Sequence, residues 1–227
     1  MSTPTRYPQG VTNAPASSAM SRFIDTDPTL IHIWFDDFDK FTAGDWTVTA
    51  VGSGTSAISN ADGGVLLLTN AAADDDSRFL QWTRETFRFA AGKKLWFKAR
   101  IQVSDATQSD FVLGLQITDT TPLAVTDGVY FRKDDGDANL DFVVIKDSTA
   151  TTATAASTIT AATWTELAFY YDGRTKILVY KDDNLIATSA VTNLVDDEEL
   201  TISFGVQNGE AVAKTMSIDY ILVAKQR

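Results

Sequence analysis

The chain predicts an all-β fold: a two-sheet antiparallel jelly-roll sandwich carrying an extended N-terminal arm. Three observations lead there. Apolar residues recur at every second position in one segment after another, the period of a strand with one buried face. Val, Ile, Thr, Phe, Tyr and Trp are abundant, and no stretch of a dozen residues shows clean helical periodicity. Gly and Asp clusters punctuate the alternating segments at short intervals, as turns do between antiparallel strands. A length of 227 residues is ordinary for one all-β domain with a sizeable core. The expected division is an arm over 1–29 and a jelly-roll domain over 30–227, with no internal repeat.

The arm is a different kind of sequence. MSTPTRYPQGVTNAPASSAMSRFID is rich in Ser, Thr, Ala and Pro and does not alternate. Pro4, Pro8, Pro15 and Pro28 favour an extended path. Such a segment buries too little apolar surface to offset its ordering entropy alone, so it is expected to order only against a partner. Fully extended it reaches roughly 80 Å, enough to cross onto a neighbouring subunit. Its apolar residues Tyr7, Val11 and Phe23 are the expected contacts.

The body begins near Leu30, where Ile31, Ile33 and Phe35 alternate with His32 and Trp34. Strands are then expected at Trp46–Val51, Val65–Leu68, Arg78–Thr83 and Glu85–Phe89. In the long strand Lys94–Val103, Leu95, Phe97, Ala99, Ile101 and Val103 face one way, and Lys94, Trp96, Lys98, Arg100 and Gln102 the other. Phe111, Leu113, Leu115 and Ile117 continue the pattern. Val129–Lys133 and Leu140–Lys146 form a hairpin around Asp134-Asp135-Gly136-Asp137. The Thr/Ala-rich stretch Thr149–Thr163 reads as an edge strand plus loop. Three strands follow within TWTELAFYYDGRTKILVYKDDNLIATS (Thr163–Ser189), turning at Asp172-Gly173 and Asp182-Asp183-Asn184. Strands through Leu200–Val206 and Met216–Ala224 close the chain.

Composition excludes several function classes. There is no cysteine, which removes disulfides, thiolate catalysis and cysteine-based zinc sites and favours a reducing site of synthesis. A formal net charge of −11 argues against wrapping nucleic acid. No apolar run approaches membrane-spanning length. Met1 is followed by a polar, Pro-containing segment, which does not read as a secretory signal.

Two resemblances add to this reading. The Thr163–Ser189 meander resembles the signature meander of concanavalin A-like and laminin-G-like jelly rolls. The blocks FDDFDKFTAGDWTVT, GGVLLLTNAAADDDSRFLQ, GKKLWFKARIQVSDATQSDFVLGLQI, DTTPLAVTDGVYFRKDDGDANLDF and ELTISFGVQNGEAVAKTMSIDYILVAK resemble virion structural proteins of tailed bacteriophages. That resemblance implies a non-enzymatic head decoration or cement protein on the capsid surface, made in the bacterial host cytoplasm. The implied partners are the major capsid protein and copies of the chain itself, trimer first and dimer second. The alternative is a lectin-like carbohydrate-binding module for host-surface glycans.

No catalytic residue, cofactor or metal ligand is assigned. The lone histidine, His32, reads as structural, because no strained G-x-S-x-G turn accompanies it. Retaining glycosidases need two carboxylates about 5 Å apart, and the Glu-x-Asp-x-x-Glu run that supplies them is missing. Glu85, Glu166 and Asp219 stand isolated. Asp135, Asp137, Asn139 and Asp141 recur every second residue but fail the calcium-loop pattern at Leu140 and Lys146. They and Asp74-Asp75-Asp76 read as acidic turns. The row Lys94, Trp96, Lys98 and Arg100 is a basic-aromatic strip. It suits a protein contact or a shielded sheet face equally, and a sugar platform after these.

Overall fold

A computed structural model describes residues 28–227. Within these described residues, fifteen strands form two antiparallel sheets packed face to face. In chain order they are β1 (Ile31–Asp36), β2 (Trp46–Val51), β3 (Thr55–Ser59), β4 (Val65–Thr69), β5 (Ser77–Trp82), β6 (Leu95–Val103), β7 (Ser109–Gln116) and β8 (Gly128–Lys133). The rest are β9 (Asn139–Lys146), β10 (Thr149–Thr158), β11 (Thr165–Tyr171), β12 (Lys176–Lys181), β13 (Asn184–Ala190), β14 (Thr201–Asn208) and β15 (Thr215–Gln226). The eight-stranded sheet runs β13-β12-β11-β6-β15-β4-β3, with β1 also paired to β15. The seven-stranded sheet runs β10-β9-β8-β7-β14-β5-β2. Antiparallel pairing of strands distant in sequence is the jelly-roll arrangement.

The inward positions of the alternating segments meet between the sheets. Phe97 stacks on Phe169 at 5.0 Å, and Phe142 tilts against Phe169 at 5.4 Å. At the other end Trp46 packs edge-on against Trp34, Trp82 and Phe204. On β1 it is Trp34 that joins this core and His32 that meets Phe87 at 4.8 Å. Burial lowers the pKa of His32, helped by Arg227 and Lys225. Ile33 and Phe35 face out and stay about half exposed, at 48% and 56%.

Three expectations are corrected. Glu85–Phe89 is not a strand; only an isolated bridge from Phe87 to Leu200 forms there. Thr55–Ser59 is a strand the alternation did not reveal, because its exposed edge position lets both faces be polar. The row expected to run on to Ile117 ends with β7 at Gln116, where the chain leaves the sheet. Tyr7, Val11, Phe23 and most of the arm lie outside the described residues.

Two-residue turns close the tight hairpins. Asp147 and Ser148 (φ 49° and 64°) join β9 to β10, and Asp182 and Asp183 (φ 49° and 59°) join β12 to β13. Positive φ at both positions matches the twist of the flanking strands.

Candidate functional site

The outer face of the seven-stranded sheet carries the candidate site. Outward residues of its central strands are Phe79, Gln81, Val112, Gln116, Tyr130, Arg132, Asp141, Val143, Ile145 and Ser203, as their register with the core-facing set requires. The segment from Thr118 to Asp127 does not leave this face. It folds back across it as a ridge, with a 3-10 turn at Pro122–Ala124. Buried side chains pin the ridge. Gln116 donates from Nε2 to the Pro122 carbonyl at 3.0 Å, and Gln81 donates to the Ile117 carbonyl at 3.0 Å. Gln81 also accepts from the Asp119 amide at 2.9 Å, and the Ser203 hydroxyl donates to Gln116 Oε1 at 2.6 Å. Val125 and Leu123 close over Phe79, Val112, Tyr130 and Val143 as a small apolar layer.

Between this ridge and β10 lies an open groove of about 470 Å³. Tyr130, Val143 and Ile145 form its floor, Leu123–Val125 one wall, and Ala150, Thr152 and Thr154 the other. Arg132, Asp134 and Asp141 are its charged lining. Arg132 is committed to Asp134, Nε to Oδ1 at 2.5 Å. Burial alone would lower the Arg132 pKa, but the Asp134 carboxylate more than offsets this and leaves it raised. Asp141 accepts the Ala155 amide at 2.7 Å, which fixes the far wall. Burial raises the pKa of the Tyr130 phenol, so at neutral pH it is an uncharged hydrogen-bonding group. The lining mixes an apolar floor with hydroxyls and a neutralised ion pair, chemistry that suits a polar, uncharged ligand.

The basic-aromatic strip lies elsewhere, on the outer face of the eight-stranded sheet, and it is not an open platform. Trp96 is only 2% exposed, in a cluster with Ile31, Ala168, Tyr170, Leu178, Tyr180 and Ala224. Lys98 pairs with Glu166 at 2.6 Å and Asp183 at 3.5 Å. Arg100 pairs with Asp219 at 2.6 Å and lies over the Trp164 ring at 4.8 Å. The Tyr220 hydroxyl donates to Glu166.

The three isolated carboxylates are therefore not assembled in the groove. Glu166 and Asp219 are on the opposite sheet, and Glu85 accepts the Thr118 amide at 2.7 Å at the base of the ridge. The acidic turns bind their own backbone. Asp137 accepts the Asn139 amide and side-chain amide, both at 2.7 Å, and Asp76 accepts the Ala73 amide at 3.2 Å. Among the described residues no three His, Cys, Asp or Glu side chains gather as a metal site. Nor is any described helix long and apolar enough to cross a membrane.

No protein-family model matches the chain, and no curated protein does. Solved structures do. An endo-1,3-β-glucanase from Streptomyces sioyaensis superposes with TM-score 0.63 at 13% identity, covering 89% of this chain and 99% of that one. The carbohydrate recognition domain of Emp46p gives 0.56 at 10% identity, covering 83% and 94%. A protein of unknown function from Shewanella oneidensis MR-1 gives 0.60 at 16% identity, covering 95% and 97%. The fold is a concanavalin A-like jelly roll. Identity this low shows the fold alone.

Sequence reasoning missed the groove because its parts are far apart in the chain. One signal was available: DTTPLAVTDG is apolar at Pro122, Leu123 and Val125 yet does not alternate, which marks a loop that packs.

Proposed function

We propose that this chain is a carbohydrate-binding jelly roll without hydrolytic activity, and that the groove between the ridge and β10 is its glycan site. The carrying observation is the groove itself. It is an open cleft of about 470 Å³ on a sheet face, with an apolar floor and a rim of hydroxyls. The shared fold with a carbohydrate recognition domain and with a glucanase supports the reading. Absence of turnover is supported by the dispersal of Glu85, Glu166 and Asp219 and by the engagement of Asp134 with Arg132. The test is electrophoresis of the full chain through gels containing neutral polysaccharides, alongside a reducing-end assay. Retardation that Ala150→Asp removes, with no new reducing ends, is the expected result. Steady release of reducing ends by pure protein would overturn the non-enzymatic part.

A second reading is the phage virion structural protein, decorating the head lattice. The outward residues Ile33 and Phe35 of β1 favour it, since these apolar side chains are 48% and 56% exposed. Under this reading, Phe35→Asp folds normally but fails to join particles. Normal incorporation of that variant would remove β1 as the contact.

A further inference from the structure

The free edge of β1 carries an inference that is independent of the glycan reading. Among the described residues β1 pairs only with β15, in unbroken register from Ile31↔Gln226 to Asp36↔Ile221. The Arg227 amide donates to the Leu30 carbonyl at 2.8 Å, which makes Leu30 and Arg227 a hydrogen-bonded pair. Such pairs alternate along an antiparallel ladder, so His32, Trp34 and Asp36 also turn their backbone toward β15. Ile31, Ile33 and Phe35 therefore turn their amides and carbonyls away from it. The far side of β15 keeps the same phase: the Gln226 amide donates to the Lys94 carbonyl at 2.9 Å.

Native sheets usually blunt an edge of this kind. β10 has a bulge between Ala153 and Ser157, and β3 is a five-residue strand of mostly small side chains. β1 has no bulge, no proline, no lysine and no arginine. The residues whose backbone faces the free edge also point their side chains to the outer face of the sheet. There Ile33 and Phe35 are 48% and 56% exposed, and Ile31 joins the cluster around Trp96.

The two ends of the strand differ in charge. Burial raises the Asp36 carboxyl, and Asp37, Asp39 and Asp45, gathered at the same end, add to that. At the other end Lys225 and Arg227 both press on His32. Arg227 Nε donates to the Ile31 carbonyl at 3.2 Å, which sets a guanidinium on the free edge itself.

A twofold axis at Ile33 matches these features to themselves. Antiparallel pairing of two such edges sets Ile33 against its own copy and Phe35 against Ile31 of the other copy. Each of these facing pairs is in the phase that exchanges two hydrogen bonds. Their side chains become apolar cross-strand neighbours. The acidic end of each strand meets the Arg227 end of the other, whereas parallel pairing would set like ends together.

We propose that β1 is an isologous docking edge for a second copy of this chain, joining the two eight-stranded sheets into one across a twofold axis.

Sedimentation velocity of the full chain over a concentration series tests this, together with amide hydrogen exchange read by NMR. A dimer should form as concentration rises. The amides of Ile33 and Phe35 should exchange freely in dilute solution and slow at least about tenfold as the dimer forms. Ile33→Pro removes a donor from the free edge alone, a position where sheets tolerate proline, and should weaken the dimer at least about tenfold. Phe35→Lys places a charge on the same edge and should also weaken it, which keeps the test decisive if the proline disturbs β1. Circular dichroism checks the fold of both variants. A chain that stays monomeric at every concentration, or a dimer that both variants leave intact, would overturn the proposal. So would protection of Ile33 and Phe35 that is the same at every concentration, because the edge would then be occupied within a single chain.

Discussion

Asp105 and Lys214 illustrate how much one buried polar contact can carry. Lys214 is buried and donates to Asp105 Oδ2 at 2.7 Å and Glu210 Oε1 at 2.6 Å. Asp105 Oδ1 accepts the amides of Thr107 and Gln108 at 2.8 and 3.0 Å. The Gln108 amide and the Lys214 ammonium hold the Asp105 carboxyl well below the usual range. A carboxylate whose pKa falls on folding stabilises the fold above its unfolded pKa, near 4, and that contribution disappears as pH drops. Asp105→Asn should therefore cost about 2–3 kcal/mol at pH 7, because a buried ammonium loses a partner. The deficit should shrink below about pH 4. Urea unfolding of parent and variant from pH 7 to pH 2 measures this, and a constant difference across the range would show that the charge is not responsible.

At the scale of elements, glycine spacing and one irregularity shape the sheets. Gly205 sits where a Cβ would stand 2.4 Å from the Arg78 carbonyl oxygen, so β14 and β5 approach closely only because it is glycine. Gly205→Ala should destabilise by about 1–3 kcal/mol as an overpacking change. Denaturant titration with an unchanged midpoint would contradict this. The last strand, β15, is paired to β6 along most of its length and carries a bulge between Ile218 and Tyr220. Before it Met216 and Ile218 face the core; after it Ile221 and Val223 do. The sequence does not disclose this bulge, because Tyr220, Leu222 and Ala224 carry the period of two on from Ile218 without a break. The edge strand within Thr149–Thr163 was legible, but its second role as a groove wall was not.

For the whole molecule, net charge sets how copies meet. At −11 the chains repel, but at about 0.15 M salt the repulsion is screened beyond roughly 8 Å. Any association through the exposed β1 row should therefore strengthen from low to high salt and weaken in the double change Ile33→Ser with Phe35→Ser. Light scattering across a salt series measures it. A monomer at every concentration and salt level would remove self-assembly from the reading. Glycan binding should hardly respond to the same series, because among the described residues the groove beside β10 is lined by no uncommitted cation.

The sequence by itself determined the all-β class, most strands, the inward face of Lys94–Val103 and the turns at Asp172-Gly173 and Asp182-Asp183. These follow from alternation and turn chemistry, which act over a few neighbouring residues. It could not determine that β14 lies between β5 and β7, or that β15 lies between β6 and β4. Both edges of a strand offer the same hydrogen-bonding groups, so neighbours are chosen by contacts made across the folded chain. Trp96 shows the same divide. Alternation put it on the outward face, while the tertiary structure buried it against Tyr170 and Tyr180 and left Ile33 and Phe35 exposed. The groove is tertiary for the same reason. It exists because Gln81, Gln116 and Ser203, brought together from three strands, satisfy the backbone of a ridge folded over their own sheet.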